Sequence, residues 1–139
     1  MTDQELVQMA LSARETAYAP YSGFAVGAAL LCSDGRVYTG CNIENASYSC
    51  GLCAERTAVA KAVSDGNRQF SALAIAGSGE SFCTPCGLCR QVLYEFAPRL
   101  RLLCADHSGA FQEHCLSDLL IAGFGPASLG KTGDFPKII

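Results

Sequence analysis

Cys53-Ala54-Glu55-Arg56 and Pro85-Cys86-Gly87-Leu88-Cys89 are the stretches of this chain whose residue types and spacing can do chemistry. Three thiolates, from Cys53, Cys86 and Cys89, can hold a zinc ion and leave its fourth coordination position open. Glu55, two residues beyond the first cysteine, can then move protons for a water that the metal activates. A closed site competes with this reading. Cys50-Gly51-Leu52-Cys53 and Cys86-Gly87-Leu88-Cys89 are both C-x-x-C pairs, and four cysteines so spaced can form a structural zinc site. Glu55 decides between the two. A structural site has no use for a carboxylate beside a ligand, whereas a hydrolytic site needs a proton acceptor there. One zinc per chain is therefore expected on three cysteines, with Glu55 as the catalytic group.

Zinc with three thiolates carries a net negative charge, which weakens its pull on a bound water. Both cysteine stretches open helical patterns, and helix N-termini supply compensating positive charge. Arg56 is placed to donate hydrogen bonds to thiolate sulfur. The other cysteines have plainer readings. Cys32, Cys41 and Cys104 fall in strand patterns and read as small core residues. Cys50 and Cys83 read as spare thiols open to oxidation. His107 and His114 lie away from both stretches and read as solvated, which leaves Glu55 to carry the protons.

The elements that must position these groups follow from pattern. Thr2-Asp3-Gln4-Glu5 is a capping box opening a helix predicted to run to about Ala17, before Pro20. Phe24 to Leu31 and Val37 to Cys41, joined by Ser33-Asp34-Gly35-Arg36, read as a β-hairpin. A polar loop from Asn42 to Tyr48 leaves its second strand, where binding groups gather. A helix from Cys53 stops at Asp65-Gly66-Asn67. Leu73 to Ala76 reads as a buried strand, Cys86 to Phe96 as a helix limited by Pro98, and Leu100 to Cys104 as another strand. Ala110 to Cys115 reads as an edge strand, and Ser117-Asp118 as the cap of a short helix through Leu120. The tail, with Gly123, Gly125, Pro126, Gly130, Gly133 and Pro136, reads as irregular. This order predicts an α/β fold, three-layer α/β/α with a mixed central sheet of about five strands, as a single domain over residues 1–139.

Composition narrows the partner. The chain has 139 residues, is 50% hydrophobic and carries a net charge of −3. Its Lys and Arg are scattered rather than gathered in a basic stripe, which argues against nucleic acid and for a small molecule. The apolar content is generous for a monomer and leaves room for a subunit interface. No run approaches the roughly 18 apolar residues of a membrane span. The N-terminus lacks a signal-peptide profile, so a cytoplasmic chain is expected. Nine cysteines, an odd number, then favour metal ligation over disulfides.

The two cysteine stretches match the signature of zinc deaminases: a ligand-x-Glu segment followed by Pro-Cys-x-x-Cys, with Glu outside the metal's ligand set. Further segments extend the likeness. They are Tyr18-Ala19-Pro20-Tyr21-Ser22, Phe24 to Leu30, Gly40 to Ala46, Cys53 to Ala58 and Pro85 to Gln91. On these the sequence resembles the short, homotetrameric, zinc-dependent cytidine deaminases. The resemblance implies hydrolytic deamination of cytidine and deoxycytidine to the uracil nucleosides, with release of ammonia, in pyrimidine salvage. It implies that Asn42 and Glu44 hold the sugar, that the Ala54 N–H meets the pyrimidine carbonyl, and that Phe24 packs on the ring. It also implies that Ala46, Tyr48 and Phe124 line a neighbouring subunit's pocket within a homotetramer. Where Ile121 stands, that family more often has proline. Deamination of a different aminopyrimidine or aminopurine nucleoside is the nearest alternative. A zinc-stabilised binding module is a more distant one, set aside by Glu55, and a nucleic-acid-editing enzyme would need a basic channel.

Overall fold

The structure, a computed structural model, describes residues 1–131; the expected irregularity at Gly133 and Pro136 lies outside them. The chain runs α1 (Asp3–Arg14), β1 (Val26–Cys32), β2 (Val37–Cys41), α2 (Ala54–Ser64), β3 (Phe70–Gly77), α3 (Gly87–Phe96), β4 (Arg101–Ala105), β5 (Phe111–Cys115) and α4 (Leu116–Leu119), with single 3-10 turns at Tyr48–Cys50 and Pro126–Leu129. The strands form one sheet in the order β2-β1-β3-β4-β5. Only β3 and β4 are parallel; the other neighbours are antiparallel. The expected mixed five-stranded sheet is thus present, with its hairpin at one edge.

Helices cover both faces. Ala28, Leu30, Cys32, Leu73, Ile75, Leu102 and Cys104 pack toward α2 and α3. Ala29, Ala72, Ala74, Ala76, Leu103 and Ala105 pack toward Leu6, Val7 and Ala10 of α1. Burial on both sides explains why the central strands read as continuous apolar runs rather than alternating ones. Two glycines set how closely the helices approach. A β-carbon on Gly27 would lie 2.0 Å from the Ala10 carbonyl oxygen, and one on Gly40 would lie 2.5 Å from that of Ala54. Gly40 therefore lets the first turn of α2 rest directly on β2.

The N-terminal capping box forms as expected, Thr2 accepting from the Glu5 N–H and Glu5 accepting from the Thr2 N–H. The helix ends three residues earlier than its pattern predicts, at Arg14 rather than Ala17. Tertiary pairing overrides propensity here. The Tyr18 N–H donates to the Asn42 carbonyl, and the Glu44 N–H donates back to the Tyr18 carbonyl, at 2.9 and 2.8 Å. That pairing needs extended chain at Tyr18 and brings the start of the chain beside the loop after β2. At the other end, α4 begins after Cys115 without a side-chain cap, so Ser117 and Asp118 lie inside the helix they were expected to cap. Gly66 after α2 is left-handed at φ 85°, as its stop signal requires.

Candidate active site

Cys53 and Cys86 occupy the same local position, each an extended residue immediately before a helix. Neither sulfur caps its helix, so both are free to point elsewhere. Cys89 sits one turn into α3, three residues after Cys86, and so shares its face. The three sulfurs lie within 4.8 Å of one another, and those of Cys53 and Cys86 are 3.6 Å apart. Tetrahedral zinc with bonds of about 2.3 Å to sulfur needs thiolates about 3.8 Å apart. The trio therefore fits zinc in both ligand type and spacing. Cys50 is exposed and stands outside the cluster.

Electrostatics favour the thiolate at Cys53. Hydrogen bonding from Cys89 holds the Cys53 pKa down at about 5, with further help from Arg56 and Cys86. The same bond to Cys53, together with burial, pushes Cys89 up. Arg56 Nη2 donates to the Cys53 sulfur at 3.6 Å and to the Gly51 carbonyl at 3.4 Å. Its Nε is buried with no hydrogen-bond partner among the described residues.

Glu55 lies in the first turn of α2 and is 4% exposed. Desolvation pushes its carboxyl up to about 7, and the neighbouring Cys53 thiolate adds to the shift. A carboxyl near neutrality can both take and give protons at physiological pH. It opens onto a cavity of about 570 Å³, which also has Cys53 and Cys86 in its wall.

Four stretches of chain build that cavity: the connector before β1, the loop after β2, the start of α2 and the segment before α3. Phe24, Asn42, Glu44, Tyr48, Ala54 and Arg56 all line it, as do Tyr21, Ser22, Cys83 and Thr84, which sequence reasoning did not assign to a site. Ala54 begins α2, where helix geometry leaves the backbone N–H without an intrahelical partner. The Phe24 ring lies against the glycines at the end of β3, within 2.7 Å of where a Gly77 β-carbon would stand. Glu44 accepts from the N–H groups of Tyr21 and Ser22 at 2.9 and 3.0 Å and from the Ser22 hydroxyl. The Ser22 hydroxyl is the main reason that the Glu44 carboxyl sits below its ordinary range. Asn42 Nδ2 donates to the Phe24 carbonyl at 2.8 Å, and its Oδ1 accepts from the Val26 N–H at 2.9 Å.

Ala46 and Phe124 do not line this cavity. Both are exposed, Phe124 at 59%. Two cysteines differ from expectation. Cys41 is half-buried rather than a core residue, because β2 is an edge strand. Cys83 is half-buried in the cavity wall, and burial pushes its thiol up to about 12, so little of the oxidisable thiolate is present. His107 is exposed and His114 half-exposed on β5, and neither lines the cavity.

Known proteins resemble this chain over most of its length. Residues 1–104 match the family model described as the cytidine and deoxycytidylate deaminase zinc-binding region. A cytidine deaminase of Sporosarcina psychrophila is 47% identical over 135 residues, covering 96% of this chain and 99% of the relative. One from Halalkalibacterium halodurans is 47% identical over 125 residues, covering 89% and 95%. The crystal structure of cytidine deaminase from Burkholderia pseudomallei superposes with a TM-score of 0.86 at 46% identity, covering 89% of this chain and all of that one. A three-sulfur cluster suited to zinc, a carboxyl buried beside it and this likeness over nearly the whole length lead to one conclusion: the chain belongs to the cytidine and deoxycytidylate deaminase family.

Proposed function

We propose that this protein hydrolyses the exocyclic amine of cytidine and deoxycytidine, giving uridine or deoxyuridine and ammonia, in pyrimidine salvage. The observation that carries the reading is Glu55: a carboxyl raised to about 7, buried beside three clustered thiols in the wall of a nucleoside-sized cavity. Zinc bound by Cys53, Cys86 and Cys89 supplies an electrophilic centre that makes a water acidic near neutral pH. Glu55 takes a proton from the attacking water and passes it to the ring nitrogen beside the reacting carbon. It then takes the proton of the newly added hydroxyl, as the carbonyl forms and the carbon–nitrogen bond breaks, and delivers it to the departing amine. Water and the nucleoside are consumed, and ammonia and the uracil nucleoside leave.

The remaining roles follow from chemistry and position. The free N–H of Ala54 meets the pyrimidine carbonyl, and Phe24 packs on the ring. Glu44, kept ionised by its neighbours, accepts from sugar hydroxyls beside Asn42. Exposed Phe124, with Ala46 and Tyr48, reaches a neighbouring subunit's pocket in a homotetramer, which gives an exposed aromatic a place to be buried. A cytoplasmic enzyme fits this chemistry, and no helix among the described residues is long and apolar enough to cross a membrane.

A panel of nucleosides assayed for ammonia release and for loss of cytidine absorbance, with and without a zinc chelator, tests the reading. Chelator-sensitive release from cytidine and deoxycytidine is the expected result. Release from another aminated nucleoside alone would overturn the substrate, and release indifferent to metal would overturn the chemistry.

A further inference from the structure

We propose that Ser22 is a positioning residue that joins the sugar-reading carboxylate to the aromatic wall of the pocket, so that sugar and base are gripped by one connected unit. The inference rests on the nucleoside reading above and adds a residue and a coupling to it. Ser22 lies in the connector between Pro20 and β1. Its hydroxyl donates to Glu44 Oε2, and the same oxygen accepts from the Phe24 N–H at 3.0 Å. A hydroxyl has one proton to give and two lone pairs to receive with, so both bonds form at once. The N–H groups of Tyr21 and Ser22 fill the other carboxylate oxygen. An ionised carboxylate offers about four acceptor positions, and these three bonds leave room for a sugar hydroxyl.

The other end of Phe24 is held as well. Its carbonyl accepts from Asn42 Nδ2, while Asn42 Oδ1 anchors the first residue of β1 through the Val26 N–H. The backbone of the residue placed against the base is therefore tied on both sides to the two side chains placed against the sugar. Behind the ring, β-carbons on Gly77 and Gly79 would come within 2.7 and 3.2 Å of it. The ring fills the space that those glycines leave and has little room to retreat. The Ser22 hydroxyl is the direct hydrogen-bonded link from the Glu44 carboxylate to the Phe24 N–H.

Hydrogen exchange at the Phe24 amide, read by NMR, tests the connection without any turnover. Ser22→Ala is expected to speed that exchange by about 10-fold, and Ser22→Thr, which keeps the hydroxyl, to leave it near wild type. Glu44→Ala is expected to speed it too, although Ser22 is intact. Unchanged exchange in Glu44→Ala would overturn the proposal, because Ser22 would then hold Phe24 without the carboxylate. Kinetics give a second arm. Ser22→Ala should raise KM for cytidine by about 10-fold while kcat stays within about threefold, the pattern of weakened binding rather than lost chemistry. Combined with Glu44→Ala, the loss in kcat/KM should be smaller than the product of the single losses, and multiplicative losses would sink the coupling. Failure of the nucleoside reading looks different: the wild-type protein would release no ammonia from cytidine, while the exchange experiment would still report on the connection.

Discussion

Arg90 fastens the turn that presents Cys86, donating from its Nε to the carbonyl of Pro85 at 2.8 Å. Its Nη1 reaches the Leu119 carbonyl at the same distance, so one guanidinium ties a metal-ligand turn to the end of α4. Arg90→Met keeps much of the apolar stem and removes both bonds. It is expected to cost on the order of 2–3 kcal/mol of stability and to speed zinc loss to a chelator. Urea unfolding and a colorimetric chelator check the two effects separately. Normal zinc retention would show that the turn holds its shape without the arginine.

Glu55→Gln preserves size and hydrogen-bonding atoms but cannot carry the proton. Turnover of cytidine should fall at least about 100-fold while zinc content and fold persist. Steady-state assay beside metal analysis measures both, and near-normal kcat would remove the shuttle.

Glu44→Ala should weaken cytidine deamination far more than deamination of free cytosine, which has no sugar to read. A loss of about 10-fold or more in kcat/KM for the nucleoside is expected from one charge-assisted hydrogen bond. Equal losses on both substrates would assign Glu44 to the fold alone.

Cys50→Ser should leave one zinc per chain, whereas Cys53→Ser should lose most of it. Metal analysis of the purified variants decides the matter, and zinc loss in Cys50→Ser would revive the closed four-cysteine arrangement.

Acid should destabilise the fold below about pH 4. Glu44 is held below its ordinary range by Ser22, Asp34 by Arg36, Asp106 by Ser108 and Glu113 by Arg101. The unfolded chain, with carboxyl pKa values of about 4, takes up protons first. The stability these groups contribute is complete above that pH and is lost as pH falls through their lower native values. Asp34 and Glu113 are exposed and Glu44 and Asp106 half-buried at the surface, all solvent-screened. A modest drop in urea midpoint is therefore expected between about pH 4.5 and pH 3, below the range in which Glu55, raised to about 7, gains stability as pH falls. An unchanged midpoint would contradict it.

The site was legible in the sequence wherever its geometry is local. Cys86 and Cys89 are one helical turn apart, and Cys53 and Glu55 share the start of α2, so spacing alone brings each pair together. What stayed hidden depends on long-range pairing. The early end of α1 follows from Tyr18 lying beside Ile43, which no helical pattern encodes. The role of Ser22 depends on a carboxylate 22 residues later in the chain. The half-burial of Cys41 follows from the position of β2 at a sheet edge, and strand order is not written in the strand itself. Apolar runs, helical spacing and turn residues thus recovered the elements, while the contacts between connectors appeared only in three dimensions.

The central place of β3 gives the ligand set a topological consequence. Cys53 and Cys86 are 33 residues apart, and the whole of β3 lies between them in the sequence and between β1 and β4 in the sheet. An ion held by both therefore closes a loop of chain that contains the middle strand, and closing such a loop removes freedom from the unfolded chain. The same ion that serves the reaction is also a clasp on the segment that carries the central strand, so removing it lowers the stability of the fold as well as the activity.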